Sequence, residues 1–525
     1  VFSYVGFNNI EERVEGRTSI NVVLQTATNS LEEVVVVGYG TQKKKDLTGS
    51  VSSIKGEEVA KMPGTNPISS LQGKVPGLTI SNSGRAGSSP VVRIRGVNST
   101  NSASPVYVVD GILHDNIDFL NPADIESIDI LRDPSSIAIY GLRGANGVIA
   151  ITSKKAVRGK TTVSLQSSVG IQTVQNKIEL ADADGFKKLL DAQLINQGAG
   201  AFDFSRYTAN TDWQDLIFRD AVITSNNISV SNSGEKSTTY LNLGYTNQEG
   251  VLKNDQYERF LIRLNQEIRI NKNIKVGGDI TGYHYKNNPP GVSITNALWA
   301  APVVPIQFDE NTYYSMISLQ RAQVGNPIAT LNRNDGNSVE RGYRVVGNIF
   351  AEVKFLKSFT WRSAVYGDFN FNTGRSYGQL PFSVYDLGEG ITPDNIRFDD
   401  QATTSVSQDQ SESRRFQQDH TLTFDKRLGK GHSINAVAGI TTIYSTSSFV
   451  NGRRIDTLIN IPDDPDYWYL GVTNPNNPQT NGGGGAEGSI VGTFARVGYS
   501  YLGKYLLNAT IRRDGSSKFA PENRW

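Results

Sequence analysis

Apolar and polar residues alternate over most of this chain. Within residues 257–270, for example, Phe260 and Ile262 share one face of a predicted strand, whereas Arg259 and Arg263 share the other. A period of two residues is typical of a β-strand with one apolar and one polar face. The pattern predicts eleven strands, at about 161–174, 222–232, 237–248, 257–270, 273–286, 341–355, 358–372, 413–428, 431–449, 488–502 and 504–514.

The connections between these strands alternate between short and long. Gly, Asn and Ser fill the short ones, and these residues suit the positive φ of hairpin turns. The long ones cover about 175–221, 287–340, 373–412 and 450–487. Outer-membrane barrels have short turns at one end and long loops at the other. The pattern therefore predicts an antiparallel up-and-down outer-membrane β-barrel; a large soluble sheet with one wet face is the alternative.

A different pattern precedes the strands of residues 160–525. Residues 47–155 mix short apolar strands with Gly and Pro turns and brief helical patterns, which predicts a compact α+β domain. Residues 1–30 are interpreted as the end of a small β-domain, and residues 31–46 as a linker. Because the chain starts at Val1 without Met and stops just after a turn-rich stretch, we interpret it as a piece of a longer precursor.

Composition excludes several classes of protein. There is no cysteine, so disulfides, cysteine zinc sites, iron–sulfur clusters and thiol catalysis are excluded. Lys and Arg number 52 against 51 Asp and Glu, which lacks the basic excess of a dedicated nucleic-acid binder. The sequence contains no run of eighteen or more apolar residues, so no membrane-spanning helix is predicted.

Enzyme motifs are missing, and no catalytic residue, metal ligand or cofactor is predicted. Asp110 and Asp115 flank a Gly-containing segment, for which a turn is favoured over an acid–base pair. Acidic residues in the long loops, and the glycines at 482–485, are predicted to be solvated loop. A weak calcium site is the alternative for the acidic residues, which are Asp182, Asp184, Asp463, Asp464 and Asp466.

The four valines at 34–37 form a strongly β-favouring run. Two acidic residues precede it, and a Gly-Tyr-Gly and lysine linker follows it. Such a segment can add as a strand to an exposed sheet edge of another protein. Composition alone leaves open whether it is instead an ordinary strand of the preceding domain.

Several motifs occur in a fixed order in the α+β domain. They are QGKVPG (72–77), VRIRG (92–96), PVYVVDG (105–111), DIESI (124–128), LRDPSSIAIYG (131–141) and RGANGVI (143–149). Together they resemble the plug domain of SusC-like (SusC/RagA) TonB-dependent outer-membrane transporters. RRDGSSKF at 512–519 resembles a barrel signature of the same family. Pro134 stands where the family usually has Ala, and little consequence is expected.

This resemblance implies a fold and a role. The family's barrel has about twenty-two strands, so this chain would hold the first half of it, at 160–525, behind a plug domain at 47–155. Residues 1–30 would end a carboxypeptidase-regulatory-like domain. Residues 31–46 would hold the TonB box and a linker. The TonB-binding residues would be Leu31, Glu32, Glu33, Val34, Val35, Val36 and Val37.

The family also implies partners and a location. A SusD-like lipoprotein would cap the outer mouth and capture an oligosaccharide or peptide, and TonB with ExbB and ExbD would supply energy. The protein would lie in the outer membrane of a Gram-negative bacterium, contacting lipid but no nucleic acid, and would not be an enzyme. A non-transporting outer-membrane receptor or adhesin and a soluble glycan-binding β-protein are the alternatives.

Two further sets of residues are candidates. The family suggests that plug arginines brace the plug against lumen carboxylates such as Glu267, and these would be Arg93, Arg95 and Arg143. Aromatic residues of the long loops could stack on sugar rings, contact the lipoprotein or pack within the loops. They are Trp299, Tyr313, Tyr314, Trp468 and Tyr469.

Overall fold

The computed structural model describes most of the predicted plug and barrel. The described residues are 22–23, 34–36, 41–43, 51–62, 64–97, 104–156, 159, 161–320, 323–389, 396–397, 402–429 and 431–525. Apart from residues 22 and 23, the β-domain predicted at residues 1–30 lies outside them.

The plug domain is built on a mixed five-stranded sheet. Before it, β1 (Val34–Val36) and β2 (Thr41–Lys43) form a two-stranded sheet of their own. The plug elements are β3 (Val51–Lys55), α1 (Gly56–Ala60), β4 (Leu78–Ser81), β5 (Val91–Ile94), β6 (Val106–Val109), β7 (Ile112–His114), β8 (Ile125–Leu131), α2 (Pro134–Ile137) and β9 (Val148–Ser153). The sheet order is β3-β8-β9-β6-β7, in which only β6 and β9 are parallel, while β4 and β5 form a separate hairpin.

Local sequence explains two details of the plug. Asp110 and Gly111 have φ values of 50° and 92° and join β6 to β7, which confirms the predicted turn. Glycine adopts this positive φ without the strain that a Cβ would cause. Pro134 is the first residue of α2, where its missing N–H is not needed.

The plug sheet is covered on both faces. Ile149 and Ile151 in β9 belong to one apolar cluster, and Val148 and Ala150 belong to another. A strand covered on both faces is apolar at consecutive positions rather than alternating. Residues of the barrel strands complete both clusters, so the plug and the barrel strands share their cores; these residues are Val346, Tyr366, Val437 and Phe494.

The described residues that follow the plug form fifteen strands and four α-helices. In chain order they are β10 (Thr162–Gln172), α3 (Ala183–Asn196), α4 (Trp213–Ile217), β11 (Ala221–Ser233), β12 (Ser237–Glu249), β13 (Gln256–Arg269), β14 (Ile274–Asn288), α5 (Ile294–Trp299), β15 (Gln307–Asp309), β16 (Thr312–Tyr314), α6 (Pro327–Arg333), β17 (Ser338–Phe355), β18 (Phe359–Gly378), β19 (Ser383–Tyr385), β20 (Ile396–Arg397), β21 (Ser405–Leu428), β22 (His432–Ile455), β23 (Gln479–Tyr501) and β24 (Tyr505–Ser516).

Eleven of these strands form one antiparallel sheet, which we call the wall. Its order is β10-β11-β12-β13-β14-β17-β18-β21-β22-β23-β24, so neighbours in the wall are consecutive long strands in sequence. This confirms the predicted up-and-down arrangement. Short turns lie at one end of the wall and long loops at the other. No helix of the described residues is long and apolar enough to cross a membrane.

The wall has one apolar and one polar face, as predicted. In β13, Phe260 and Ile262 are 57% and 51% exposed, whereas Arg259 and Arg263 are 2% and 1% exposed. The buried arginines face the plug, so we call this face the lumenal face. The exposed apolar side chains form the outward face.

Several wall strands are longer than predicted, most of all β18, β21, β22 and β23. β21, β22 and β23 have 24, 24 and 23 residues and continue into the stretches interpreted as loop. The prediction that glycines 482–485 lie in a loop is therefore wrong, because they pair with residues of β22. Glycine has no side chain to show alternation, so this part of β23 leaves no period in the sequence.

The long connections form a compact layer of their own, which we call the loop layer. It contains α3 to α6 and the four-stranded sheet β15-β16-β19-β20. Trp213, Ile217, Val303, Ile317 and Tyr385 lie in its apolar core. The helices start at side-chain caps; for example, Asp182 Oδ1 accepts the Gly185 N–H at 2.8 Å.

Candidate ligand site and energy-coupling segment

Buried arginines of the wall hold the plug through its backbone. Arg259 Nη1 donates to the carbonyl oxygens of Thr65 at 3.0 Å and Asp118 at 2.6 Å. Arg512 Nη1 in β24 donates to the Ile139 carbonyl oxygen at 2.7 Å. Each of these bonds joins a wall side chain to a plug carbonyl that would otherwise need water.

Other wall arginines reach plug side chains. Arg263 Nη2 donates to Asp279 Oδ2 within the wall at 2.7 Å and also to the plug hydroxyl of Ser153. Arg344 binds Asp368 through two nitrogens, at 2.9 and 2.8 Å, and also donates to Asn116 of the plug. Paired and hydrogen-bonded in this way, the guanidinium groups can be buried at a tolerable cost.

Asp124 of the plug is fully buried against the wall. Its Oδ1 accepts a hydrogen bond from the Tyr240 hydroxyl of β12 at 2.8 Å. Burial raises the pKa of the Asp124 carboxyl, which the charge of Arg263 opposes. The plug and the wall thus form a polar as well as an apolar interface.

His114, at the end of β7, is buried between the plug and the wall. Its Nδ1 lies 3.2 Å from the Tyr366 hydroxyl. Burial lowers the pKa of His114 well below its usual value, and the positive charges of Arg415, Arg344 and Arg143 lower it further. The imidazole is therefore neutral at pH 7 in a positively charged surrounding.

A cavity of about 360 Å³ lies between the plug and the long-loop half of the wall. Asp115 and Asn116 of the plug line it, together with Arg344, Arg415 and Lys518. Arg415 Nη1 donates to Asp115 Oδ2 at 3.3 Å. Arg143 of the plug contacts the other oxygen of the same carboxylate. This cavity, which we call the plug cavity, is the candidate ligand site.

The bracing arginines predicted from the sequence are placed differently. Arg95 pairs with Asp133 at 3.2 Å, and Arg143 contacts Asp115, so both bind carboxylates of the plug itself. Arg93 is exposed on β5. The expected partner, Glu267, instead pairs with Lys155 at 2.7 Å and Lys275 at 3.6 Å.

The wall arginines that bind the plug were missed as site residues. Alternation placed Arg259 and Arg263 on the lumenal face, but the period does not show what that face contacts. The signal that could have found them is a series of long cationic side chains on the polar face of strands whose other face is apolar. Such charges must be paired when they are buried.

The aromatic candidates are not brought together. Trp299 is 58% exposed and lines a cleft of about 950 Å³ in the loop layer. Tyr314 is half-buried and packs against Tyr385. Tyr313 is buried, and its hydroxyl accepts a hydrogen bond from Asn332 at 2.8 Å. Stacking on a sugar requires an open ring face, so this placement corrects the prediction for Tyr313.

Trp468 lies on the outward face of the wall. It is fully buried against Val406 and Tyr377, which alternate in phase with the outward residues Phe416 and Val365. Its indole N–H donates to the Pro462 carbonyl oxygen at 3.1 Å. Trp468 is therefore a packing residue, which agrees with the alternative that it packs within the loops rather than stacks on a sugar.

Tyr469 follows Trp468 on the same outward face. The Arg375 guanidinium lies 4.4 Å from the centre of its ring, a cation–π contact. Arg375 is itself in phase with the outward Val365 in β18. This placement separates Tyr469 from the plug cavity, and its role in binding stays a prediction.

The predicted TonB box is described in part. Val34, Val35 and Val36 pair with Lys43, Gln42 and Thr41 in the antiparallel β1–β2 sheet. This sheet is not hydrogen-bonded to the five-stranded plug sheet. Leu31, Glu32, Glu33 and Val37 lie outside the described residues. We call residues 31–37 the coupling segment.

The acidic loop residues do not gather into a metal site. Within the described ranges, no group of three or more His, Cys, Asp or Glu residues could hold a metal ion. Asp182 and Asp464 instead cap helices, and Asp466 pairs with Arg341 at 3.0 Å.

Comparison with known proteins agrees with this architecture. The TonB-dependent Receptor Plug Domain family model matches residues 43–148. The whole chain is 33% identical to TonB-dependent receptor P26 of Formosa agariphila and 30% identical to TonB-dependent receptor SusC of Bacteroides thetaiotaomicron, and it covers 52% of each. The RagAB peptide importer in its open-open state has the same fold, with a TM-score of 0.76 and 22% identity over 94% of this chain and 57% of that chain.

The fold is that of a TonB-dependent receptor, with a plug domain packed against barrel strands. Within that class, the chain is similar over its whole length to the SusC-like receptors. It spans about half the length of the curated relatives that it matches.

Proposed function

We propose that this chain forms the plug and part of the barrel of a transporter that imports an oligosaccharide or peptide nutrient across the outer membrane of a Gram-negative bacterium. TonB, with ExbB and ExbD, supplies the energy. No bond of the nutrient is broken, so the protein is not an enzyme. The outward apolar side chains of the wall, such as Phe260 and Ile262, contact lipid.

The observation that carries this proposal is the set of hydrogen bonds by which wall arginines hold the plug. Arg259, Arg263, Arg344 and Arg512 hold the plug by hydrogen bonds, many of them to its backbone. A hydrogen bond from a charged group contributes only about 1.5–3 kcal/mol net, because water replaces the lost partner. An interface of this kind can be opened by a pulling force and rehydrated, whereas a purely apolar one would resist both.

The coupling segment supplies the place to pull. An isolated two-stranded hairpin is at best marginally stable in water, so the pairing of β1 with β2 can yield to another strand. Val34, Val35 and Val36 then offer their backbone groups to TonB by strand addition. The pull is transmitted through the linker to β3 of the plug.

Ligand capture takes place at the long-loop end. The plug cavity provides polar groups, and Trp299 offers an open ring face in the loop layer. A SusD-like surface lipoprotein closes over this end. The relatives include a protein named a peptide importer and SusC, so both peptides and oligosaccharides are retained as ligand classes.

One experiment separates this proposal from a receptor or adhesin. Surface binding and uptake of the same labelled nutrient are compared in cells with and without TonB. We expect binding to be equal and uptake to be lost without TonB. Equal uptake in both strains would contradict the proposal and favour a passive pore, and binding without uptake in both would favour a receptor.

A further inference from the structure

The plug cavity holds more cationic than anionic side chains on its lumenal side. Arg344, Arg415 and Lys518 line it, and Arg143 binds its floor at Asp115. Among the described residues, the carboxylates that pair with these cations are Asp115 and Asp368. These four cations and two carboxylates, together with Arg414 and Glu487, which also line the cavity, make five cations against three carboxylates.

The two carboxylates are used differently. Asp368 is 14% exposed, and its two carboxylate oxygens accept hydrogen bonds from Nε and Nη2 of Arg344. This ion pair therefore neutralises both groups. Asp115 is 78% exposed and is shared by Arg143 and Arg415. One accessible carboxylate thus serves two guanidinium groups, each of which can bind a carboxylate of its own.

Burial strengthens the attraction of these arginines for a further anion, which the single accessible carboxylate leaves unfilled. The side chains of Arg344 and Arg415 are 9% and 11% exposed, so water screens them weakly. The neutral state of His114 beside them agrees with a positive field at this place, since the three arginines lower the pKa of His114 beyond the effect of burial.

We propose that the plug cavity binds a carboxylate group of the transported molecule. The inference rests on the proposed function and specifies its ligand. The anion takes the place of the exposed Asp115 carboxylate on Arg415. Because Asp115 belongs to the plug and Arg415 to the wall, this exchange also removes one contact that holds the plug.

The binding test uses the purified full-length transporter and two matched pairs of probes. One pair is tetragalacturonate and galactotetraose; the other is a glutamate-containing pentapeptide and its glutamine counterpart, both with blocked ends. We expect the anionic member of at least one pair to bind at least about tenfold tighter, which is about 1.4 kcal/mol, because hydrogen bonds to charged groups are stronger than those to neutral groups. The pair that shows the preference identifies the source of the anion.

Three variants localise the effect. Arg415→Gln should abolish the preference for the anionic probe, and Asp115→Asn should strengthen it, because the competing carboxylate is gone. Arg341→Gln is the matched control. Its guanidinium pairs with Asp466 at 3.0 Å on the outward face of β17, and Arg341 is not among the residues that line the plug cavity, so the variant should change nothing.

Several results would overturn the inference. They are the absence of a charge preference in both pairs, a preference that survives Arg415→Gln, or weaker anion binding by Asp115→Asn. The last variant keeps the test valid if Arg415→Gln does not fold. If no charge preference exists but uptake still depends on TonB, the proposed anion site is ruled out. The transport proposal then remains intact.

Discussion

Arg259 of the wall donates a hydrogen bond to the backbone oxygen of Asp118 in the plug over 2.6 Å. These residues are separated by 141 positions in sequence, and the bond joins two units of the fold. Because the acceptor is a carbonyl group, any plug residue at this position could accept the bond. The geometry of the plug and the wall, rather than a pair of matched side chains, fixes the plug in place.

Removing a buried wall arginine should loosen the plug. Arg263→Met leaves the Asp279 carboxylate without its closest cation, and breaking a buried pair in this way typically costs about 3–5 kcal/mol. We expect faster hydrogen exchange in β9, which contains Ser153. Arg269→Met, at the exposed end of the same strand, is the control. Equal exchange in the two variants would show that Arg263 does not hold the plug.

A new positive charge should cost much more stability on the outward face of β21 than on its lumenal face. Phe416→Arg places a cation on the outward face and should destabilise the membrane-inserted protein by about 2–4 kcal/mol if the site is near mid-membrane. Ser413→Arg lies on the lumenal side beside the plug cavity and should cost much less. Urea unfolding in detergent or lipid measures both. Similar losses would mean that the assignment of faces is wrong.

The packing of the plug against the wall should become less stable in mild acid. His114 stays neutral when it is buried, whereas the exposed imidazole binds a proton below its ordinary pKa of about 6.5. The contribution of His114 is therefore present above pH 6.5 and is lost as the pH falls, by up to about 1.4 kcal/mol per pH unit. Hydrogen exchange of the plug at pH 7.5 and 5.5 measures the change.

His114→Gln is the control for this pH dependence. Glutamine can keep the contact with the Tyr366 hydroxyl but does not titrate. We expect the difference between the two pH values to shrink in this variant. An unchanged difference would assign the pH dependence to another group.

Two tryptophans of the loop layer and its surroundings should behave differently. Trp299→Ala removes an exposed ring beside the 950 Å³ cleft and should weaken ligand binding with little change in stability. Trp468→Ala empties a buried site on the outward face and should cost about 3–5 kcal/mol of local stability with little effect on affinity. Ligand titration and thermal unfolding distinguish them. Loss of affinity in Trp468→Ala alone would reverse the assignment.

Alternation predicted the wall and its faces well, because each strand of the wall has an outward apolar face and a polar lumenal one. Phe260 and Arg259 show this within two neighbouring positions. The period could not show partners that lie far apart in sequence. Arg95 and Glu267 illustrate the limit, since each forms an ion pair, but with Asp133 and Lys155 respectively rather than with each other.

Aromatic residues in loops were the least predictable part of the site. Trp468 and Trp299 both lie in long connections between wall strands, yet one is fully buried and the other is 58% exposed. Which side of the wall a long loop covers depends on packing that no local pattern records. The prediction for the glycines at 482–485 failed for a different reason, since a strand of glycines shows no alternation of apolar and polar side chains.

Energy coupling through residues 31–37 is the central claim, and uptake by variants of Val35 tests it most directly. Val35→Pro removes a backbone donor and fixes φ, whereas Val35→Thr keeps the donor and the preference for a strand. We predict that both full-length variants insert normally and bind the labelled nutrient at the cell surface, and that only Val35→Thr imports it. Uptake by Val35→Pro, or by a variant lacking residues 31–37, at the rate of the unchanged protein would contradict the account.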